Sequence, residues 1–233
     1  GYDDEFTAAI TAASSTIGPI IPPSIPFVLY GSIARESVGK LFMGGAIPGI
    51  LMGLALMTQA YFLSRRRDMP LQPRAKFRDL LLHFRRVILP LLTPAIILGG
   101  IVMGWFTPTE AGGIAAAYAL VLGKFVYRIM RWKDVFDGIL STAILTGVVL
   151  YIMAMAGLWS WMITNEGIAD MAVEFVSSIS KSPAVLLLLL NVMILILGMF
   201  IEPLAIMIMV LPVVLPMVQA YGIDTVHYGV VMT

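Results

Sequence analysis

Uncharged stretches long enough for a helix to cross a bilayer, about 17–25 residues, recur along the whole chain: 6–34, 41–63, 87–109, 138–165, 182–201 and 203–223. A shorter one, 111–123, reaches adequate length if Lys124 extends its ammonium toward the headgroups and the helix continues to Tyr127. Most charged residues fall between these stretches, so the pattern predicts an all-α, polytopic integral membrane protein. Helix starts are also marked locally. Thr107-Pro108-Thr109-Glu110 combines an N-cap hydroxyl, a first-turn proline and a Glu three residues on, which predicts a capping box and a new helix. Ser182-Pro183 repeats the device before the run VLLLLLNVMILIL.

The first stretch does not read as one helix. Its middle, SSTIGPIIPPSIP at 14–26, holds Gly18, Pro19, Pro22, Pro23 and Pro26. Each interior proline removes an amide donor and leaves the carbonyl four residues earlier without a helical partner. A helix carried through would orphan the carbonyls of Ser15, Gly18, Pro19 and Pro22. The hydroxyls of Ser14, Ser15, Thr16 and Ser24 lie around them. Orphaned groups cost several kcal/mol in lipid, so non-helical backbone at membrane depth must be buried in protein or line a wet cavity. A proline kink or surface loop of purely structural use remains one reading. A broken helix with a binding role is the favoured one, because so many prolines and hydroxyls exceed what a kink needs. Hard oxygens without nitrogen or sulfur ligands suit an alkali or alkaline-earth cation, which makes Ser15, Thr16, Gly18 and Pro22 the candidates for holding Na⁺. The helix that restarts near Ser24 also offers its positive end to an anion. No titratable carboxylate, histidine or lysine lies within 6–34, which favours sodium over proton coupling.

Composition agrees with the membrane reading: 59% hydrophobic, 12% charged and a mean hydropathy of +0.93, against about 45–50% and 25% for soluble domains. The net charge of +1 gives no bulk polarity toward nucleic acid, so the placement of charges matters more. Between 64 and 86, Arg65, Arg66, Arg67, Arg74, Lys76, Arg78, Arg85 and Arg86 face only Asp68 and Asp79, and the positive-inside rule places that segment in the cytoplasm. Phe77, Leu80, Leu81, Leu82 and Phe84 interleave with its cations, as in an amphipathic arm lying in the headgroup plane; a solvated basic loop is the alternative. The next cluster, Lys124, Arg128, Arg131 and Lys133, lies two spans further on and so returns to the same side. Glu166, Asp170 and Glu174 then fall outside. The chain has no cysteine and so no disulfide or thiolate metal site. His83 and His227 have no catalytic company, and no HExxH or GxSxG motif is present. An enzyme is therefore not expected, nor any cofactor beyond a coupling ion. Glu202, in GMFIEPLAIMIM, is flanked by uncharged runs. It reads either as an ion or substrate ligand or as the cap of a hairpin tip. Trp105, Trp132, Trp159 and Trp161 fall near span ends and read as interfacial anchors. Gly45, Gly49 and Gly53 have the GxxxG spacing of close helix packing, and Asn191 is expected to bond to a neighbouring helix.

GYDDEFTAAIT at 1–11 aligns with GIDTVHYGVVMT at 222–233, pairing Asp3 with Asp224, Phe6 with His227 and Ala8 with Gly229. Five crossings separate the two copies if 182–223 forms a hairpin that returns to its own side. They would then be oppositely oriented, as in an inverted repeat. The expected organisation is a first-repeat part at 1–63 with its break at 14–26, a basic arm at 64–86, a helix pair at 87–137, and a second-repeat part at 138–233 with a re-entrant hairpin at 182–220. The chain begins without Met, which leads to the expectation of a longer protein.

TAASSTIGPIIPPSIPFVLYG (11–31), GWFTPTEAGGIAAAYALVLG (104–123) and GMFIEPLAIMIMVLPVVLP (198–216) closely resemble segments of the large membrane subunit of tripartite ATP-independent periplasmic (TRAP) transporters. The resemblance implies a sodium-driven importer of organic acids such as dicarboxylates or sialic acid in a bacterial inner membrane. It implies an inverted-repeat, elevator-type ion-transporter fold with re-entrant hairpins, broken helices and interfacial arm helices. The partners implied are a small membrane subunit and a periplasmic substrate-binding protein, within a lipid bilayer and without nucleic acid. By the same resemblance Ser14, Ser15, Thr16, Gly18, Pro22, Pro23 and Ser24 belong to the first sodium and substrate region. Glu202 and Pro203 belong to the second hairpin, and 76–86 to an arm. A sodium-coupled anion transporter of similar architecture that works without a binding protein is the alternative.

Overall fold

The computed structural model describes residues 3–66 and 76–233. Ten α-helices are present among them: α1 (Asp4–Ser15), α2 (Ile25–Ala34), α3 (Val38–Arg66), α4 (Phe77–Val102), α5 (Pro108–Val121), α6 (Trp132–Asn165), α7 (Ile168–Ile179), α8 (Pro183–Gly198), α9 (Pro203–Ala220) and α10 (Thr225–Met232). The part of the basic segment at 67–75, with Arg67, Asp68 and Arg74, lies outside the described residues, as does Gly1. The chain divides into two compact units, one of 1–24 and 45–132, the other of 25–44 and 133–233.

In the first unit α4 is continuous from Phe77 to Val102, with Pro90 and Pro94 inside it. The expected boundary at 86 is therefore a change of composition along one helix, basic and amphipathic before it and apolar after it. The α4–α5 connection turns at Gly104, whose φ of +73° suits a residue without a Cβ. Thr107 then starts α5 with the predicted capping box. The Thr107 amide donates to Glu110 Oε2 at 2.8 Å, and the Glu110 amide donates to Thr107 Oγ1 at 3.3 Å. Tyr118 ties α5 back to α4 by donating to the Leu89 carbonyl at 2.9 Å. After α5 the backbone widens into a π-helical turn, Leu122–Val126. Lys124 there does not reach freely outward as the sequence led one to expect. Its Nζ donates to the Met130 carbonyl at 3.2 Å and lies 4.7 Å from the centroid of the Trp132 ring.

In the second unit α9 is the central element, with Ile206, Met207, Ile208, Leu211, Val214, Met217 and Val218 all buried. So many apolar residues leave α9 no polar face, and a helix of that kind belongs in a core. The helices α2, α7, α8 and α10 pack against it. Between α7 and α8 the chain bends by 115°. Ser182 takes the N-cap position of α8, but its side chain makes no capping bond; its amide donates instead to Ser180 Oγ at 3.1 Å. Asn191 makes no side-chain hydrogen bond among the described residues, contrary to the expected interhelical bond. The Phe27 and Phe42 rings meet with centroids 6.4 Å apart and planes tilted by 57°. By contrast, α6 exposes Ile139, Ile144, Leu145 and Leu150. At 34 residues and about 1.5 Å per residue it is about 51 Å long, more than the roughly 30 Å of hydrocarbon it would have to cross.

Candidate functional site

The helix predicted to break does so between α1 and α2. Along α1 a series of hydroxyls folds back onto the helix's own carbonyls. Thr7 Oγ1 donates to Asp3 O at 2.9 Å and Thr11 Oγ1 to Thr7 O at 2.8 Å. Ser14, Ser15 and Thr16 reach three residues back, to the carbonyls of Thr11 at 3.1 Å, Ala12 at 2.7 Å and Ala13 at 2.7 Å. Each hydroxyl directs its one proton inward and keeps lone pairs for a second partner.

Past Ser15 the backbone tightens. The Ile17 amide donates to Ser14 O at 3.2 Å, that of Gly18 to Ser15 O at 3.3 Å, and those of Ile20 and Ile21 both to Ile17 O at 3.0 Å. Ser24 Oγ donates to the Pro19 carbonyl, and the Pro22–Pro23 peptide is cis. Two of the four carbonyls that a helix would have orphaned, those of Ser15 and Pro19, thus find local donors. The carbonyls of Gly18 and Pro22 accept no hydrogen bond among the described residues. Pro22 and Ser24 are buried, whereas Ser14, Ser15, Thr16, Gly18 and Pro23 are exposed. The break thus leaves two carbonyls, those of Gly18 and Pro22, without a donor among the described residues, and the residues just before it, Ser14, Ser15 and Thr16, are exposed. Ser14 also lines a cavity of about 750 Å³ between α1 and α3, walled by apolar side chains such as Ile10 and Leu56 with Glu5 and Gln59 among them. Among the described residues no three His, Cys, Asp or Glu side chains cluster.

Glu202 and Pro203 lie in the second unit. Glu202 is the N-cap residue of α9 and Pro203 its first helical residue. The Glu202 carbonyl accepts from the Ile206 amide at 3.1 Å, while its exposed side chain makes no capping bond. Trp159, read as an interfacial anchor, lines an apolar cavity of about 440 Å³ together with residues of α7, α8 and α9.

One arrangement escaped the sequence reading. Tyr30, fully buried on α2, donates to the Thr225 carbonyl at 2.6 Å, and Thr225 Oγ1 donates to Glu36 Oε1. The link spans 195 residues, and no local pattern announces it. The only signal was Gly229, one of the small residues of the apparent repeat. A Cβ there would lie 2.6 Å from Tyr30 Cε1.

Asp3 and Asp224, paired in the sequence alignment of the two segments, both cap helices. Asp3 Oδ1 accepts from the Phe6 amide at 2.6 Å at the start of α1, and Asp224 Oδ1 accepts from the His227 amide at 2.7 Å at the start of α10. Aligned residues thus cap aligned helices. The family model described as tripartite ATP-independent periplasmic transporter, DctM component, matches residues 1–233. This chain belongs to that family. The TRAP resemblance read from 11–31, 104–123 and 198–216 is borne out. The sialic acid TRAP transporter large permease protein SiaM of Vibrio cholerae is 41% identical over 98% of this chain and 54% of its own length. The C4-dicarboxylate TRAP transporter large permease protein DctM of Pseudomonas aeruginosa is 40% identical over 100% of this chain and 54% of its own. The sialic acid TRAP transporter permease protein SiaT of Haemophilus influenzae is 40% identical over 100% of this chain and 38% of its own. The DctM-family chain thus spans about half, or less, of the length of these relatives. With four helices long and apolar enough to cross a membrane among the described residues, it is a multi-pass membrane protein.

Proposed function

We propose that this chain is the ion- and substrate-carrying part of a TRAP large permease that imports organic acids, driven by sodium entry, across a bacterial inner membrane. The observation that carries the reading is the break at 16–24, where the Gly18 and Pro22 carbonyls have no donor among the described residues and follow Ser15 and Thr16 closely along the chain. Carbonyl and hydroxyl oxygens of this kind replace the hydration shell of a hard monovalent cation. α2 begins at Ile25, directly after the break along the chain, and a helix N-terminus suits a carboxylate. Binding of the ion and of the acid would then be coupled through one continuous stretch of chain. The relatives named for sialic acid and C4-dicarboxylates support an acidic substrate. Membership of the family supports a small membrane subunit and a periplasmic binding protein as partners. The matched caps at Asp3 and Asp224 support an inverted repeat, in which α8 and α9 form the re-entrant hairpin with Glu202 at its tip and the carrier moves as an elevator.

The test is uptake into proteoliposomes holding the full transporter, with and without a sodium gradient and with and without the binding protein. Uptake should require both. Ser15→Ala or Pro23→Ala should lower sodium-dependent uptake while leaving membrane insertion intact. Equal uptake in the two sodium conditions would refute the coupling. Uptake that ignores the binding protein would point to a transporter that works without one.

A further inference from the structure

The GxxxG spacing on α3 says nothing by itself about ions, but its contacts do. Gly49 is buried, and a Cβ built on it would lie 2.6 Å from Ile21 Cγ1, 3.5 Å from Ile20 Cγ2 and 3.6 Å from Ile21 Cα. One turn along the same face, a Cβ on Gly53 would lie 3.9 Å from Ile17 Cδ1. Ile17, Ile20 and Ile21 are the aliphatic residues of the break, and the Ile17 carbonyl holds the amides of the other two. The turn that carries Gly18 and leads into Pro22 is therefore seated on α3 through its isoleucines, with Gly49 at the point of closest approach.

We propose that Gly49 is a positioning residue for cation binding: the absence of its side chain sets how deeply the 17–21 turn sits against α3, and so sets the spacing of the Gly18 and Pro22 carbonyls. The inference rests on the sodium reading above. The atom that meets the missing Cβ is Cγ1 of a β-branched side chain, whose χ1 is stiff. An alanine at Gly49 cannot be absorbed by swinging a chain end aside, and the turn itself must shift. Gly53 differs, because 3.9 Å is ordinary van der Waals contact. Two glycines on one stripe thus make opposite predictions.

The experiment measures the sodium concentration for half-maximal uptake by the full transporter in proteoliposomes, together with the maximal rate and the substrate KM. Gly49→Ala should raise that concentration about tenfold, the change produced by 1.4 kcal/mol, with less effect on the maximal rate. Gly53→Ala should leave it within about twofold, the scatter expected where nothing is overpacked. Ile21→Ala removes the opposing Cγ1 and should restore sodium affinity in the Gly49→Ala background, a coupling that a double-mutant cycle isolates. If Gly49→Ala does not reach the membrane, Ile21→Ala alone carries the test by loosening the same seat, and it should weaken sodium affinity. Wild-type uptake indifferent to sodium would overturn the sodium reading, and this inference with it. Sodium-dependent wild-type uptake with an unchanged half-maximal concentration in the variant tested would overturn the role of Gly49 alone, as would an equal effect of Gly53→Ala.

Discussion

Tyr30→Phe and Tyr228→Phe remove one hydroxyl each from rings that are both fully buried in the second unit, yet the two changes should act in opposite directions. The Tyr30 hydroxyl donates to the Thr225 carbonyl at 2.6 Å, whereas the Tyr228 hydroxyl has no hydrogen-bond partner among the described residues. Phenylalanine keeps the packing in both cases. Losing the Tyr30 bond should cost about 1 kcal/mol, the usual net value of such a bond, with about 0.6 kcal/mol as the average for side-chain bonds between membrane helices. Removing the Tyr228 hydroxyl deletes a desolvated polar group that nothing compensates, a relief of up to about 1–3 kcal/mol. At about 2–4 °C per kcal/mol for 150–250 residues, Tyr30→Phe should lower Tm by a few degrees and Tyr228→Phe should leave it equal or higher. Tryptophan fluorescence of the purified permease in detergent during heating reads both. A drop for Tyr228→Phe as large as that for Tyr30→Phe would refute the reasoning, because the two rings would then contribute only through packing.

Gly229→Ala places a methyl 2.6 Å from Tyr30 Cε1 and 2.8 Å from Leu41 Cδ2, and overpacking of about 1–3 kcal/mol should lower Tm by more than Gly112→Ala, where a Cβ meets nothing within 4 Å. Thr107→Ala removes the acceptor for the Glu110 amide and should cost about 1 kcal/mol, read as a Tm shift that Thr107→Ser largely reverses. Trp132→Ala should cost about 0.5–2 kcal/mol through its ring contact with Lys124; an unchanged Tm in Lys124→Met would show that the contact contributes nothing.

What the sequence made legible was local. Prolines at 19, 22, 23 and 26 forbid a helix within the first stretch, and the chain unwinds between Ser15 and Ile25. Thr107, Pro108 and Glu110 fix a helix start because the bonds they make span three residues. Ser182-Pro183 likewise marks a helix start, and α8 begins at Pro183, although Ser182 makes no side-chain cap bond. The composition change at 86 looked like a boundary, but helical hydrogen bonding runs through it. The Tyr30–Thr225–Glu36 link was invisible because its partners are set by tertiary packing across most of the chain. Within the break, the prolines showed which carbonyls a helix would orphan, but not that Gly18 and Ser24 would each supply a donor to one of them.

Direct binding of radioactive sodium to the purified full-length permease tests the central claim most closely, with the wild type set beside a Ser15→Ala/Thr16→Val variant. The account predicts saturable binding that unlabelled sodium displaces and potassium does not, weakened about tenfold, or 1.4 kcal/mol, in the variant. Equal binding by the two proteins, or no saturable binding by the wild type, would contradict it.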